Sequence, residues 1–149
     1  MKNKSNPPSS AKKTAVKSPQ PNAPQQFMML MIPTIYQGGK NVDPGFEPDP
    51  KKMEEMGKFN EALGKAVKIV SVNGLHPLAT GARVAFGSGK PTVTDGPDIE
   101  AKEVLGGYWM IEANSKEELV KWAQRCPADP GDVIEIRQIW DEADFAVKK

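Results

Sequence analysis

The 149-residue chain has one cysteine and one histidine. Cys126 therefore has no partner for an intrachain disulfide, and with His76 it supplies too few ligands for a structural zinc site. Both shortages suit a reducing compartment. No stretch approaches the roughly 18 apolar residues of a membrane helix. The run Phe27–Ile32 is too short even for a signal-peptide core and lies far from the amino terminus. A cytoplasmic protein that binds neither membrane nor metal is expected.

Net charge is also scarce, at +1, but it is unevenly spread. Lys2, Lys4, Lys12, Lys13, Lys17 and Lys40 all precede the first acidic residue, Asp43, and taking those six from +1 leaves −5 for the remainder. A mildly acidic body argues against nucleic acid as partner, because that role needs a basic patch on a folded face. Residues 1–25 are rich in Lys, Ser, Pro, Asn and Gln, with little apolar beyond Val16 and a few alanines. Such a segment buries too little surface to offset its ordering entropy, so a disordered basic tail is expected there. The domain proper is assigned to residues 26–143, and residues 144–149 to a short terminal tail.

Within the domain, Phe27–Ile32 is apolar at every position and ends at Pro33, which predicts a strand buried on both faces. Asp49 before Pro50 supplies an N-cap and a proline at the first helical position. Met53, Met56, Phe59, Ala62 and Leu63 then follow at helical spacing, so a helix is predicted to about Lys65. Gly57 weakens it by about 1 kcal/mol relative to alanine and suggests a close approach to the sheet. Val67–Val72 is a β-branched strand. Ala82–Phe86 and Pro91–Thr94 flank the turn Gly87-Ser88-Gly89-Lys90 as a hairpin. Gly106–Ile111 is another strand. Ser115 with Glu118 forms a capping box for a second helix, whose apolar stripe is Leu119, Trp122 and Ala123. Val133–Trp140 is the last strand.

The order β-α-β, hairpin, β-α-β is the α+β, ferredoxin-like arrangement, with both helices on one face of an antiparallel sheet. Phe27–Ile32 and Tyr108–Ile111 nonetheless place apolar residues on both faces. A bare apolar sheet marks an association surface, and a homodimer joined sheet to sheet is expected.

Met53–Leu63 (MEEMGKFNEAL), the turn Gly74-Leu75-His76-Pro77, Val93-Thr94-Asp95-Gly96-Pro97 and Lys102-Glu103 before Leu105-Gly106-Gly107-Tyr108 resemble the YCII-related (DGPF) proteins. Ile134-Glu135-Ile136-Arg137 followed by Trp140 fits the same family, and the likeness spans roughly residues 27–142. It implies a dimeric α+β barrel and a cleft containing a histidine and an aspartate, for which His–Asp catalysis has been suggested. Two departures stand out. Asp98 occupies the place of the name-giving phenylalanine, and the first helix carries Asn60 and Glu61 where YCII proper has a histidine. A mechanism that relies on that helical histidine loses its support here.

His76 is the one side chain whose ordinary pKa lies near neutrality, and it sits in a loop at a strand end beside Pro77. A general base needs an orienting partner, and Asp95, fixed before Gly96-Pro97, is the candidate. Asp-Gly is equally ordinary turn chemistry. On the last strand Ile134, Ile136 and Trp140 share one face and are expected beneath the helices. Glu135 and Arg137 share the dimer-facing side with Val133 and Ile139. Charges there either pair with each other or line a wet cleft, where the arginine fork suits a substrate oxyanion. Glu100, Lys102 and Glu103 are expected at the rim of the same cleft. The methionines read as packing, Gly87–Lys90 as a hairpin turn, and Cys126 as an inert thiol.

Two functions follow. One is a small enzyme, free of cofactors, that performs proton-transfer or elimination chemistry on an oxygenated small molecule. In it His76 and Asp95 are catalytic, and Arg137, Glu135 and Lys102 bind the substrate. The other is a non-catalytic dimeric module that binds a small ligand or a protein.

Overall fold

The computed structural model describes residues 23–37, 45–96 and 103–146. Along them run β1 (Gln25–Ile32), α1 (Pro50–Ala66), β2 (Lys68–Gly74), β3 (Ala82–Ala85), β4 (Thr92–Asp95), β5 (Gly107–Ala113), α2 (Lys116–Ala123), β6 (Val133–Gln138) and α3 (Glu142–Ala146). One antiparallel sheet has the order β2-β5-β1-β6, and β3 pairs with β4 in a separate two-stranded ribbon. This is the α+β, ferredoxin-like succession that the element order predicts. Most of the expected basic tail lies outside the described residues.

The register sorts the side chains of the two central strands. Phe27, Met29 and Met31 stand opposite Ile111, Trp109 and Gly107 on one face, while Met28 and Leu30 stand opposite Met110 and Tyr108 on the other. On β6, Ile136 and Ile134 fall on the first face and Arg137 and Glu135 on the second, as alternation requires. The first face forms the core. Phe59 and Leu63 of α1, Leu119 of α2 and Val67 pack with Phe27, Met29, Trp109 and Ile111, and Met29, Leu63, Ile111 and Leu119 are completely enclosed. Phe59 meets Trp109 edge-on at 6.3 Å between ring centroids and Trp122 at the same separation, a geometry aromatic quadrupoles favour. α1 and α2 both pack on this core face, so the second face lacks their cover. Residue 70 is skipped in the pairing of β2 with β5, a bulge that bends this edge strand.

Both helices begin where the sequence predicts. The Asp49 carboxylate accepts a hydrogen bond from the Lys51 N–H at 3.0 Å, with Pro50 opening the helix. Ser115 Oγ accepts from the Glu118 N–H at 3.1 Å, and Glu118 reaches back to accept from the Asn114 N–H, one residue before the cap. Two expectations need correction. Gly57 makes no close approach to the sheet, since a Cβ there would meet nothing within 4 Å; it lies on the exposed side of α1. Trp140 does not pack beneath the helices. β6 ends at Gln138, so the strand alternation no longer governs position 140, and Trp140 stacks on Phe145 of α3 while 69% exposed.

Asp132 ties the loop before β6 to the end of β1, accepting from the Thr34 N–H (2.8 Å), the Thr34 hydroxyl (2.9 Å) and the Asp129 N–H (2.9 Å). Burial pushes its pKa up, but these hydrogen bonds outweigh it and hold the carboxyl below its ordinary value of 3.8. A depressed carboxyl contributes stability that is full above its unfolded pKa and lost as pH falls through the lower folded value. Two outcomes follow for urea unfolding. Gly57→Ala should raise stability by about 1 kcal/mol, and Asp132→Asn should flatten the loss of stability below about pH 4.

Candidate functional site

A cleft of about 390 Å³ opens between the first half of α1 and the end of the sheet where β2 finishes and β5 begins. Glycines form that end of the sheet: Gly74, Gly106 and Gly107 all line the cleft. A Cβ on Gly106 would fall 2.6 Å from Pro33 Cγ, and one on Gly107 would fall 3.0 Å from the Asn73 carbonyl oxygen. Crowding by the Pro33 ring and the Asn73 carbonyl thus favours glycine at these two positions, and the cleft floor there is backbone. Met53 and Met56 from α1 and Met31, Val72 and Trp109 from the sheet give it an apolar wall. Its volume and mostly apolar lining with few polar groups are those of small-molecule sites.

Two polar side chains from α1 face this space. Asn60 Oδ1 accepts a hydrogen bond from Trp109 Nε1 at 2.7 Å. Lys52 Nζ donates to Asp129, which holds the lysine pKa above its ordinary value, chiefly through that hydrogen bond and then through the charge of Asp129. On the other face of the sheet, the Tyr108 hydroxyl receives the Asn73 amide at 3.0 Å and lies 3.2 Å from Ser71 Oγ. Those two hydrogen bonds lower the Tyr108 pKa, the Ser71 contact most. A second, more open depression of about 580 Å³ lies at the other end of the sheet, along Gly64–Ile69 and Glu112–Asn114. Lys68 and Glu112 pair across it at 3.9 Å, so it offers no convergent free group.

Of the residues singled out in the sequence, Glu135 and Arg137 are brought together, and no hydrogen bond joins His76 to Asp95. His76 is exposed, two residues beyond the end of β2, and makes no hydrogen bond or ion pair with any described residue. Asp95 ends β4, opposite Ala82 in the exposed ribbon, and no hydrogen bond joins it to His76. Arg137 Nη1 donates to Glu135 Oε2 at 3.1 Å on β6, with Arg137 71% exposed. That strand forms one edge of the sheet and β2 the other. Lys102, with Asp98 and Glu100, lies outside the described residues. His76, Asp95, Glu135 and Arg137 do not line the cleft, although Gly74, two residues before His76, does.

The cleft residues Asn60, Trp109 and Lys52 did not emerge from the sequence as a site. The available signal was Asn60 itself. It continues the stripe Met53, Met56, Leu63 at spacings that place it on the sheet-facing side of α1, where an amide is out of character.

Among the described residues no three His, Cys, Asp or Glu side chains gather as a metal site, and no helix is long and apolar enough to cross a membrane. Cys126 Sγ lies 3.9 Å from Met56 Sδ behind the cleft. Burial, helped by the charge of Asp132, pushes its thiol up to about 11. The thiolate is the reactive species. Iodoacetamide should therefore label native Cys126 far more slowly at pH 7.5 than the urea-unfolded chain, and the native rate should climb only as pH nears 11.

Comparison with known proteins bears on the same residues. Residues 28–143 match the family described as the YCII-related domain. The chain is also 30% identical, over 78 residues, to an uncharacterised protein of Rhizobium meliloti (strain 1021), a match that covers 52% of this chain and 63% of that protein. The family match takes in every strand of the sheet and the whole cleft between α1 and the β2–β5 end, and on that ground the chain belongs to the YCII-related domain family.

Proposed function

We propose that this YCII-related domain works as a dimeric small-molecule-binding protein whose ligand sits between α1 and the glycine-rich end of the sheet. The observation that carries the reading is the 390 Å³ cleft, apolar over most of its wall and closed at its glycine floor by backbone. Burying apolar surface there supplies affinity at roughly 25 cal/mol per Å² before ordering costs. The second sheet face, with Met28, Leu30, Met110 and Tyr108 at its centre, serves as the face that joins two protomers. The β3–β4 ribbon offers a further exposed apolar patch, since Val84 and Val93 stand opposite each other and Phe86 follows, 81% exposed. In this reading the Glu135–Arg137 pair, with each charge satisfied by the other, lies at the margin of the interface.

The catalytic reading uses the same cleft without any cofactor. His76 serves as acid or base and Asp95 orients it during proton transfer or elimination. Glu135 and Arg137, on the opposite face of the sheet, do not reach this cleft within one chain, and with Lys102 they would hold a substrate oxyanion only on that other face. One observation favours it: Gly74 lines the cleft, so the loop bearing His76 leaves directly from its mouth.

Three variants separate these readings in a thermal-shift and turnover screen of hydroxy-, keto- and ring-halogenated aromatic acids and ketones. Met53→Trp, placed at the exposed lip of the cleft, should abolish ligand-induced shifts in either case. His76→Ala should leave the shifts within about a degree of wild type if the domain only binds, and should abolish turnover if it catalyses. Arg137→Ala should leave binding unchanged when Arg137 belongs to the interface margin. Shifts that survive Met53→Trp unaltered would remove the cleft from consideration.

A further inference from the structure

We propose that Asn60 makes the cleft selective for neutral, largely apolar molecules that present a carbonyl-type hydrogen-bond acceptor. This rests on the cleft being a ligand site and goes on to name the class of ligand it takes.

The argument starts from Trp109. An indole N–H can only donate, so the atom 2.7 Å from it on Asn60 has to be the amide oxygen. Exchanging the amide oxygen and nitrogen would set two donors against each other at that distance. The usual ambiguity of an asparagine side chain is thereby removed by chemistry. Trp109 is itself immobile, 3% exposed and held edge-on by Phe59.

With Oδ1 committed, Asn60 has two N–H donors on Nδ2 left. No described residue accepts from them. The side chain is only half-buried and lines the cleft, so these donors face the space a ligand would fill. An apolar ligand would bury them unsatisfied, which weakens its binding. A ligand whose oxygen accepts them avoids that cost.

The charges decide between a neutral and an anionic acceptor. Lys52 is the one ionised side chain among the lining residues, and its charge is compensated by Asp129, to which it gives one of its N–H donors. The Tyr108 hydroxyl stands on the other face of the sheet, engaged with Ser71 and Asn73. A carboxylate pressed against Met31, Met53, Met56 and Val72 would lose its hydration and find one neutral amide in exchange. A ketone, lactone, ester or quinone oxygen gives up much less. The donor thus selects for an acceptor, and the missing free cation selects against a charge.

Size-matched probes test this directly on the full chain by ¹H–¹⁵N NMR titration: ethylbenzene, acetophenone and benzoate. Wild type should bind acetophenone roughly twofold to tenfold more tightly than ethylbenzene, the worth of one net hydrogen bond, and benzoate more weakly than acetophenone. Asn60→Asp keeps an acceptor for Trp109 Nε1 but offers no donor to the cleft. It should remain folded and bind acetophenone no better than ethylbenzene. An acetophenone preference that persists in Asn60→Asp overturns the role of Asn60, and tighter binding of benzoate overturns the selection for neutrality. Equal binding of acetophenone and ethylbenzene by wild type overturns the inference while leaving the cleft as a site. Binding of no probe at all removes both.

Discussion

β1 and β5 lie side by side at the centre of the sheet, and each puts apolar side chains on both of its faces. Water on either side of such strands is costly, so each face has to find a cover. α1 and α2 cover one, closing over Phe27, Met29, Trp109 and Ile111. The other, with Met28, Leu30, Tyr108 and Met110, is left to a second protein surface in the reading proposed here. A crossover from β1 through α1 to β2, with the mirror arrangement from β5 through α2 to β6, keeps both helices on one side and both central strands adjacent. The architecture and the proposed association therefore share one origin.

The cleft arises from the same packing at the point where it is incomplete. α1 lies close to the sheet near Phe59 and Leu63, where large side chains fill the gap, and stands over glycine near Met53 and Met56. Pro33 and Asn73 press closely on Gly106 and Gly107, so the sheet offers backbone rather than side chain to the cleft at that end. Trp109 joins the filled and unfilled halves. Its ring is core, packed on Phe59, and its N–H fixes Asn60 at the edge of the cleft. One residue thus couples the stability of the domain to the polarity of its candidate site.

Much of this could be read from the sequence, where the signals are local. Asp49-Pro50 and Ser115 start their helices because capping depends on a few neighbouring atoms. The alternation Ile134-Glu135-Ile136-Arg137 reports its two faces because strand geometry has a period of two. Where a position depends on partners distant in the chain, the reading failed or fell short. Gly57 suggested a close approach, yet helical phase turns it to solvent. Trp140 looked like core by extrapolating a strand that stops two residues earlier. Whether His76 and Asp95 meet depends on the path from β2 through the ribbon, which residue identity does not encode. Asn60 shows the reverse: an amide on the apolar stripe of α1 is visible in the sequence, but its role appears only when the fold brings it to Trp109, 49 residues away.

The claim that two-faced central strands govern both fold and assembly is tested most directly by sedimentation equilibrium of the full chain at micromolar concentration. The account predicts a species of twice the 16.2 kDa chain mass, because the Met28, Leu30 and Met110 face then has its cover. A chain that sediments as a 16.2 kDa monomer across the accessible concentration range would contradict it.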